Sequence, residues 1–229
     1  KKLRSKSRVD YIAHGESRPP ISEIETVSKL LCFVRETGVR MELAHISTPQ
    51  AMELIKQAKY EGLEVYLETC PHYLLLTDET LRELGPFAKC NPPLRPRKMV
   101  NKLWQYINDG TIDFIGSDHS PFLLSEKQSG HEDIFIAPAG FPGIDLRLPL
   151  MLNAVAEGKL KLSRAIELIS ENPAKIFGLY PRKGVIQVGS DADFVIVDLN
   201  EKFIVSKKNN YSKAKDISLV YEGWELKGL

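Results

Sequence analysis

The sequence predicts an α/β fold in which parallel strands alternate with helices, and three observations support this prediction. Apolar segments of strand length recur between amphipathic segments of helical length. One of them, residues 112–116, is followed directly by Ser117-Asp118-His119, which is typical of a buried parallel strand whose carboxyl end carries chemistry. Hydrophobic residues make up 43% of the 229 residues, so the chain can bury a large core. Alternation of this kind implies parallel strands joined by right-handed crossovers.

The first part of the chain has the pattern helix, strand, helix, strand. Apolar residues at helical spacing predict a helix over residues 22–40, with Gly38 as its terminator. Residues 40–45 then form a strand that ends at His45. Thr48 caps a helix that extends to residue 59, and residues 63–68 form the next strand.

A proline-rich loop over residues 91–96 separates these elements from the next helix, residues 99–107. A turn at residues 108–110 leads into a third strand, residues 113–117. Residues 119–143 contain proline, glycine and charges without periodicity. A loop of this length in a compact domain is usually functional, so we expect it to contribute to a site.

The last third of the chain begins with helices over residues 146–157, 163–170 and 172–178. From Gly184 the pattern becomes all-β, with an alternating strand predicted at residues 194–198. The best domain boundary therefore lies near residue 180.

Composition excludes several classes of function and favours a cytoplasmic protein. The formal net charge is +1 with both signs interspersed, which gives no field for nucleic acid or an anionic membrane surface. The three cysteines form no Cys-x-x-Cys pair, so a disulfide framework is not expected and a reducing compartment is favoured. Neither a membrane span nor a signal peptide is expected. The first residue is not methionine, so we expect a part of a longer protein.

Three histidines and one carboxylate fall where predicted strands end: His45, His72, Asp118 and His119. Imidazole nitrogen with carboxylate oxygen suits zinc or a similar divalent ion. The alternative is structural, with Asp118 capping a turn and His119 exposed. Strand ends of a parallel sheet converge on one pocket, which favours the metal site. The set is small for a catalytic metal centre, which takes about three protein ligands besides water.

At this point the sequence resembles the metal-dependent cyclic amidohydrolases, which include dihydroorotases, allantoinases, hydantoinases and dihydropyrimidinases. The resemblance runs over nearly the whole chain in six ordered motifs. They are His45-Ile46-Ser47, Glu68-Thr69-Cys70-Pro71-His72-Tyr73-Leu74, Lys89-Cys90-Asn91-Pro92-Pro93-Leu94-Arg95, Gly116-Ser117-Asp118-His119-Ser120-Pro121, Asn172-Pro173-Ala174-Lys175-Ile176-Phe177-Gly178-Leu179, and Lys183-Gly184 through Asp193.

The resemblance implies a fold and an incomplete metal centre. The family has a TIM-like (β/α)8 barrel that holds two divalent ions, zinc in our expectation, beside a small β-sandwich. The chain would be the C-terminal part of that barrel plus part of the sandwich. Residues 1–180 would carry strands six to eight and the site, and residues 181–229 would belong to the sandwich. The remaining metal ligands of the family have no counterpart in this sequence.

The resemblance also implies roles for individual residues. His45 and Asp118 would be metal ligands. Asp118 would take the proton from the attacking metal-bound hydroxide and pass it to the leaving ring nitrogen. Asn91 and the backbone around Ala139 and Gly140 would hold the substrate. His72 and His119 would support the site as second contacts.

The motifs disagree about the substrate, which would be a small cyclic ureide or imide. Segments 70–73 and 117–121 are most similar to allantoinases, and Asn91 to dihydroorotases, so these rank equally, with hydantoinase or dihydropyrimidinase third. Two other classes stay open: a non-catalytic scaffold that has lost its metals, and a mononuclear deaminase. A homo-oligomer is expected from the resemblance alone.

Overall fold

A computed structural model describes residues 3–214, 216 and 219–228. Its centre is a three-stranded parallel sheet of β1 (Met41–Leu43), β2 (Val65–Thr69) and β3 (Phe114–Ile115), in that order. Met41 pairs with Val65 and Thr69 pairs with Ile115, so all three strands end at the same edge. The predicted parallel α/β arrangement is confirmed. The third strand is shorter than the predicted residues 113–117.

Helices precede, connect and follow these strands. They are α1 (Tyr11–Glu16), α2 (Pro20–Thr37), α3 (Pro49–Tyr60), α4 (Pro71–Leu75), α5 (Asp78–Leu84), α6 (Arg97–Asn108), α7 (Leu124–Gln128), α8 (Arg147–Ala156), α9 (Leu162–Ile166) and α10 (Asn172–Ile176). As predicted, Gly38 ends α2 in a left-handed conformation, with φ of 65°. The Thr48 side chain caps α3 by accepting from the Ala51 amide.

Two predicted elements are more complex than expected. The helix predicted over residues 163–170 is divided into α9 and a π-helical turn, Glu167–Glu171, which leads directly into α10. The long loop 119–143 contains the short helix α7. Neither change moves the strand ends.

One hydrophobic core lies between the sheet and its helices. It includes Leu31 of α2, Ile55 of α3, Leu67 of β2 and Leu103 of α6, all nearly or fully buried. The faces that carry the predicted helical periodicity are therefore the faces that pack. No helix in the described part of the chain has the length and apolar character needed to cross a membrane.

The predicted strand at residues 194–198 is wrong, because these residues form no strand in the described structure. Phe194 is 63% exposed and Ile196 is 94% exposed. A strand requires a hydrogen-bonded partner, and alternation in sequence cannot show whether one is present. The β structure that does form is an antiparallel pair, β4 (Lys202–Ile204) with β5 (Glu225–Lys227). The Lys227 amide donates to Asn153 Oδ1 of α8 at 3.0 Å.

The core assignment predicts a contrast between two isoleucines. Ile55→Ala should lower the free energy of unfolding by ~2–5 kcal/mol, because it leaves a cavity in a fully packed environment. Ile21→Ala on α2 is the control, since Ile21 is 62% exposed, and its effect should stay within ~0.5 kcal/mol. Urea unfolding of the natural full-length protein measures both. Equal effects would show that α3 does not pack as described.

Candidate active site at the strand ends

His45 and Asp118 occupy equivalent places at the ends of the two outer strands. His45 follows β1 by two residues and Asp118 follows β3 by three. Both have a left-handed backbone, with φ of 45° and 47°. Among the described residues, Ser7 is the one other non-glycine residue with positive φ. Such strained conformations are concentrated at functional sites, where the surrounding structure enforces them.

The middle strand fixes both of these turns. The Ile46 amide, next to His45, donates to the Glu68 carbonyl at 2.9 Å. On the other side, the Gly116 amide donates to the Thr69 carbonyl at 2.9 Å. Sheet hydrogen bonds thus continue almost to each candidate ligand, and they bring both ligands to the edge where β2 ends.

His72 lies between them, in the first turn of α4. Its side chain is 3% exposed, and Nε2 is 3.9 Å from Asp118 Oδ2. Among the described residues, this Nε2 is the one buried side-chain nitrogen or oxygen without a hydrogen-bond partner. Burial, and secondarily the nearby His45, lowers the pKa of His72 to about 3, so the ring is neutral. A neutral, unpartnered ring nitrogen is suited to bind a metal ion, water or substrate.

Asp118 is partly buried, and desolvation raises the pKa of its carboxyl group, while His45 opposes that shift. A carboxylate in this setting gains from a bound cation or proton. The imidazole of His45 and the carboxylate of Asp118 are donor types that bind divalent metals. The described residues contain no group of three or more His, Cys, Asp or Glu side chains arranged to hold a metal ion. His45 and Asp118 can supply part of a ligand set.

His119 has a different task from its neighbour Asp118. Its Nδ1 accepts from the amides of Gly143 and Ile144 at 3.2 and 3.3 Å, and its backbone bridges to Phe141. The imidazole therefore anchors the end of the long loop beside the site. This geometry supports the predicted secondary role.

The predicted substrate-holding residues divide into free and occupied groups. Asn91 is exposed, precedes a cis peptide bond to Pro92, and lines with His45 a cavity of about 430 Å³. The backbone of Ala139 forms no hydrogen bond among the described residues. By contrast, the Gly140 amide donates to Lys89 O at 2.8 Å, and its carbonyl accepts from Lys127 Nζ at 2.7 Å. Asn91 and Ala139 therefore have groups available to a substrate.

Glycine at position 140 allows the loop to pack closely against Ser120. Its φ is 132°, and a Cβ at this position would lie 2.3 Å from Ser120 Cβ. A larger residue would push the loop away from the segment that carries Asp118.

A buried carboxylate that sequence reasoning missed supports the His45 turn. Glu23 of α2 accepts from the Ser47 amide and hydroxyl at 3.1 and 2.5 Å, and from the Thr48 amide and hydroxyl at 2.8 and 2.7 Å. These are the second and third residues after His45. The motif reveals Ser47, but no local signal shows that a helix 24 residues earlier supplies the acceptor.

Arg95 connects this turn to the Asn91 loop. Its Nε donates to Ser47 Oγ at 3.0 Å, and its guanidinium lies 3.5 Å from the Glu23 carboxylate. Both charged side chains are more than nine-tenths buried and therefore poorly solvated. Each compensates the charge of the other. The network thus fixes the candidate ligand His45 relative to the candidate substrate residue Asn91.

Two further histidines, His14 and His131, lie in different environments. His14 and His131 lie in no motif, so the sequence predicts both at the surface. His14 is fully buried, so this prediction is wrong for it. Its Nε2 is 2.9 Å from Cys90 O, and burial lowers its pKa to about 4. His131 is exposed, as predicted, with Nδ1 3.0 Å from Tyr11 Oη.

Comparisons with known proteins show the family of this chain. A sequence profile of the amidohydrolase family matches residues 2–221. The chain is 40% identical to an L-hydantoinase of Paenarthrobacter aurescens over 201 residues, 42% identical to an allantoinase of Deinococcus radiodurans over 195, and 38% identical to a dihydroorotase of Acetivibrio thermocellus over 211. These matches cover 87, 85 and 92% of this chain. The chain belongs to the amidohydrolase family.

Solved structures show the same fold. An L-hydantoinase from Arthrobacter aurescens superposes with a TM-score of 0.92 at 36% identity, and a dihydropyrimidinase from Brevibacillus agri with 0.92 at 30%. Each match covers 99% of this chain and 50% of the other. The chain spans 44, 42 and 48% of the three curated relatives, or about half their length. The structure is thus part of a TIM-like amidohydrolase barrel with a small β portion.

Backbone strain at His45 predicts an order of stability among substitutions. His45→Gly should be more stable than His45→Ala by ~1 kcal/mol, because glycine has no Cβ to oppose left-handed φ. Thermal melting of metal-free full-length protein compares the two. If alanine were equally stable, φ at this position would not be strained.

The Glu23 network predicts a second effect. Glu23→Gln keeps one acceptor oxygen, replaces the other with a nitrogen that cannot accept, and removes the charge opposite Arg95. The free energy of unfolding should therefore fall by ~1–3 kcal/mol. Glu25→Gln, on the same helix with a 66% exposed side chain, is the control. Chemical denaturation and bound metal per chain are the measurements. Unchanged stability with full metal content would exclude a role for Glu23 in holding the His45 turn.

Proposed function

We propose that this chain carries half of the active site of a metal-dependent hydrolase that opens the ring of a small cyclic ureide or imide. One observation carries the proposal: His45 and Asp118 share a strained left-handed backbone at the strand ends, with the unpartnered Nε2 of His72 near Asp118. Family membership and the named activities of the relatives support the same chemistry.

His45 and Asp118 would hold divalent metal, two zinc ions in the complete protein, with ligands from outside this sequence completing the set. The metal would polarise the ring carbonyl and make water a stronger nucleophile. Asp118 would accept the proton of the attacking water while the new C–O bond forms. It would then deliver that proton to the ring nitrogen as the C–N bond breaks, so the carboxylate is regenerated.

The other residues would bind and orient the ring. The Asn91 amide and the Ala139 backbone offer donors and acceptors that match the alternating C=O and N–H groups of a planar ureide. The neutral His72 ring can bind one further polar atom at the bottom of the site. These roles require no charge on the substrate.

The particular ring stays a proposal with alternatives. Dihydroorotate and allantoin fit the motifs equally. Hydantoin or dihydropyrimidine has equal support from the comparisons, since the identities of 40, 42 and 38% are too similar to choose among the relatives. A metal-free scaffold has less support, because strain at two metal-ligand positions would serve no purpose in it.

We further propose the domain division at residue 180. Residues 1–180 contain the parallel sheet and the site, and residues 181–229 contain the antiparallel β4–β5 pair. The exposed apolar side chains of Ile186, Val188, Phe194 and Ile196 support a sandwich in which other strands cover this segment. A cytoplasmic homo-oligomer remains our expectation for the whole protein.

Asp118→Asn tests the function directly. Asparagine tolerates left-handed φ, so the backbone should be kept while the proton acceptor is lost. Hydrolysis should fall by about 10²–10⁴-fold. The full-length enzyme should contain divalent metal by elemental analysis, and ring opening is assayed on dihydroorotate, allantoin and hydantoin.

Asp193→Asn is the matched control, because this carboxylate is 71% exposed in the proposed sandwich portion. It should retain wild-type turnover. Absence of metal and of turnover on all three rings would favour the scaffold alternative.

A further inference from the structure

Two lysines beside the site are buried without a carboxylate partner among the described residues. Lys127 of α7 is fully buried, and Lys89, two residues before Asn91, is 4% exposed. A buried ammonium is unfavourable unless its donors are satisfied, and most buried lysines form ion pairs. The acceptors of these two are backbone carbonyls only.

The hydrogen bonds of Lys127 join two segments of the chain. Its Nζ donates to Gly140 O at 2.7 Å, to Pro138 O at 3.0 Å and to Lys89 O at 3.2 Å. All three ammonium donors are therefore used. One charge connects the segment that leads to Asn91 with the loop that contains Ala139.

Lys89 secures the same loop further upstream. Its Nζ donates to Ile134 O at 2.7 Å and to Ala137 O. Its own carbonyl accepts from the Gly140 amide at 2.8 Å. The two side chains together bind the carbonyls of Ile134, Ala137, Pro138 and Gly140.

These contacts leave the Ala139 backbone free between two bound neighbours. Ala139 lies between two residues whose carbonyls bind the Lys127 ammonium, yet its own amide and carbonyl have no partner among the described residues. A polar backbone group at a partly buried position is costly to leave unpaired unless a ligand satisfies it. The hydrogen bonds hold Pro138 and Gly140 in place and leave the amide and carbonyl of Ala139 available to a ligand.

We propose that Lys89 and Lys127 are positioning residues that hold the Ala139 backbone and Asn91 at a fixed separation for binding the cyclic substrate. This inference rests on the proposed function. It goes further by assigning substrate affinity to two side chains that act through carbonyls. They act on binding, while Asp118 acts on the chemical step.

The hydrogen bonds of Lys89 and Lys127 to the loop should depend on pH, because both side chains are titratable. Burial lowers the pKa of both Lys89 and Lys127 from 10.5 to about 8. Lys127 also faces Lys89, Cys90 and the Phe122 ring, whose centroid is 5.8 Å from Nζ. The charged groups that act on Lys89 are Arg4, Arg18 and Asp133. Above pH 8 each amine loses a donor and its charge, so the loop should loosen.

Loop order and global stability should respond to pH in opposite directions. The folded pKa lies below the unfolded value, so the unfolded chain holds more protons between about pH 8 and 10.5, and rising pH there favours folding through these groups. The loop loses hydrogen bonds over the same range. If the two lysines affected only global stability, loop order would not fall while the free energy of unfolding rises.

Lys127→Met in the full-length protein removes the charge and keeps the length of the side chain. The KM for the hydrolysed ring should rise by about tenfold or more, with kcat and metal content close to wild type. The wild-type KM should rise above pH 8, and this rise should be weaker in the variant. Lys102→Met, exposed on α6, is the control and should leave KM unchanged.

Hydrogen exchange provides a readout independent of turnover. Protection factors over residues 134–143 should fall in Lys127→Met, and in the wild type as pH rises through 8, with β1 and β2 unchanged. If the wild type hydrolyses none of the three rings, the proposed function fails. Hydrogen exchange still tests whether Lys89 and Lys127 hold the loop. Unchanged KM or unchanged loop protection would overturn the inference, and the wild-type pH series decides it if the variant does not fold.

Discussion

The parallel register of three strands is the constraint on which the rest of the site depends. Because β2 pairs with both neighbours in parallel, all three strands deliver their carboxyl ends to one edge. His45 and Asp118 come from the two outer strands and His72 follows the middle one. Three segments spread over more than 70 residues of sequence therefore form one candidate site. Without the register, these side chains would be unrelated polar residues after unrelated strands.

The structure places charge around this edge in two ways. At the His45 turn, Glu23 and Arg95 neutralise each other, and the Glu23 carboxylate accepts from the backbone amides of Ser47 and Thr48. At the long loop, Lys89 and Lys127 have carbonyl acceptors and form no ion pair within the described structure. In the first arrangement each buried ion faces a counter-ion, which compensates for the loss of water. In the second, burial lowers the pKa of both ammonium groups, so the hydrogen bonds of the loop depend on pH.

The sequence predicted the part of the site that local pattern encodes. His45 and Asp118 follow strand-length apolar runs, and strand ends in parallel sheets are functional positions, so their placement needed no distant information. Lys127 lies in a short helix inside a loop without periodicity, and Glu23 lies on the mainly polar start of α2. Their roles depend on tertiary contacts, which local pattern does not encode. The strand predicted at residues 194–198 failed for the same reason, because a strand is defined by its partner.

Strain and support at this edge are parts of one arrangement. A left-handed histidine and a left-handed aspartate persist only where surrounding contacts over-determine them. The hydrogen bonds from Ile46 and Gly116 to β2, and the Glu23 network beyond His45, supply those contacts. The two turns carry the two candidate ligands, and His72 Nε2, near Asp118, lacks a partner among the described residues. A fold that needed only stability would relax these turns with glycine and pair that nitrogen, so the arrangement favours the proposed binding and chemistry at the strand ends.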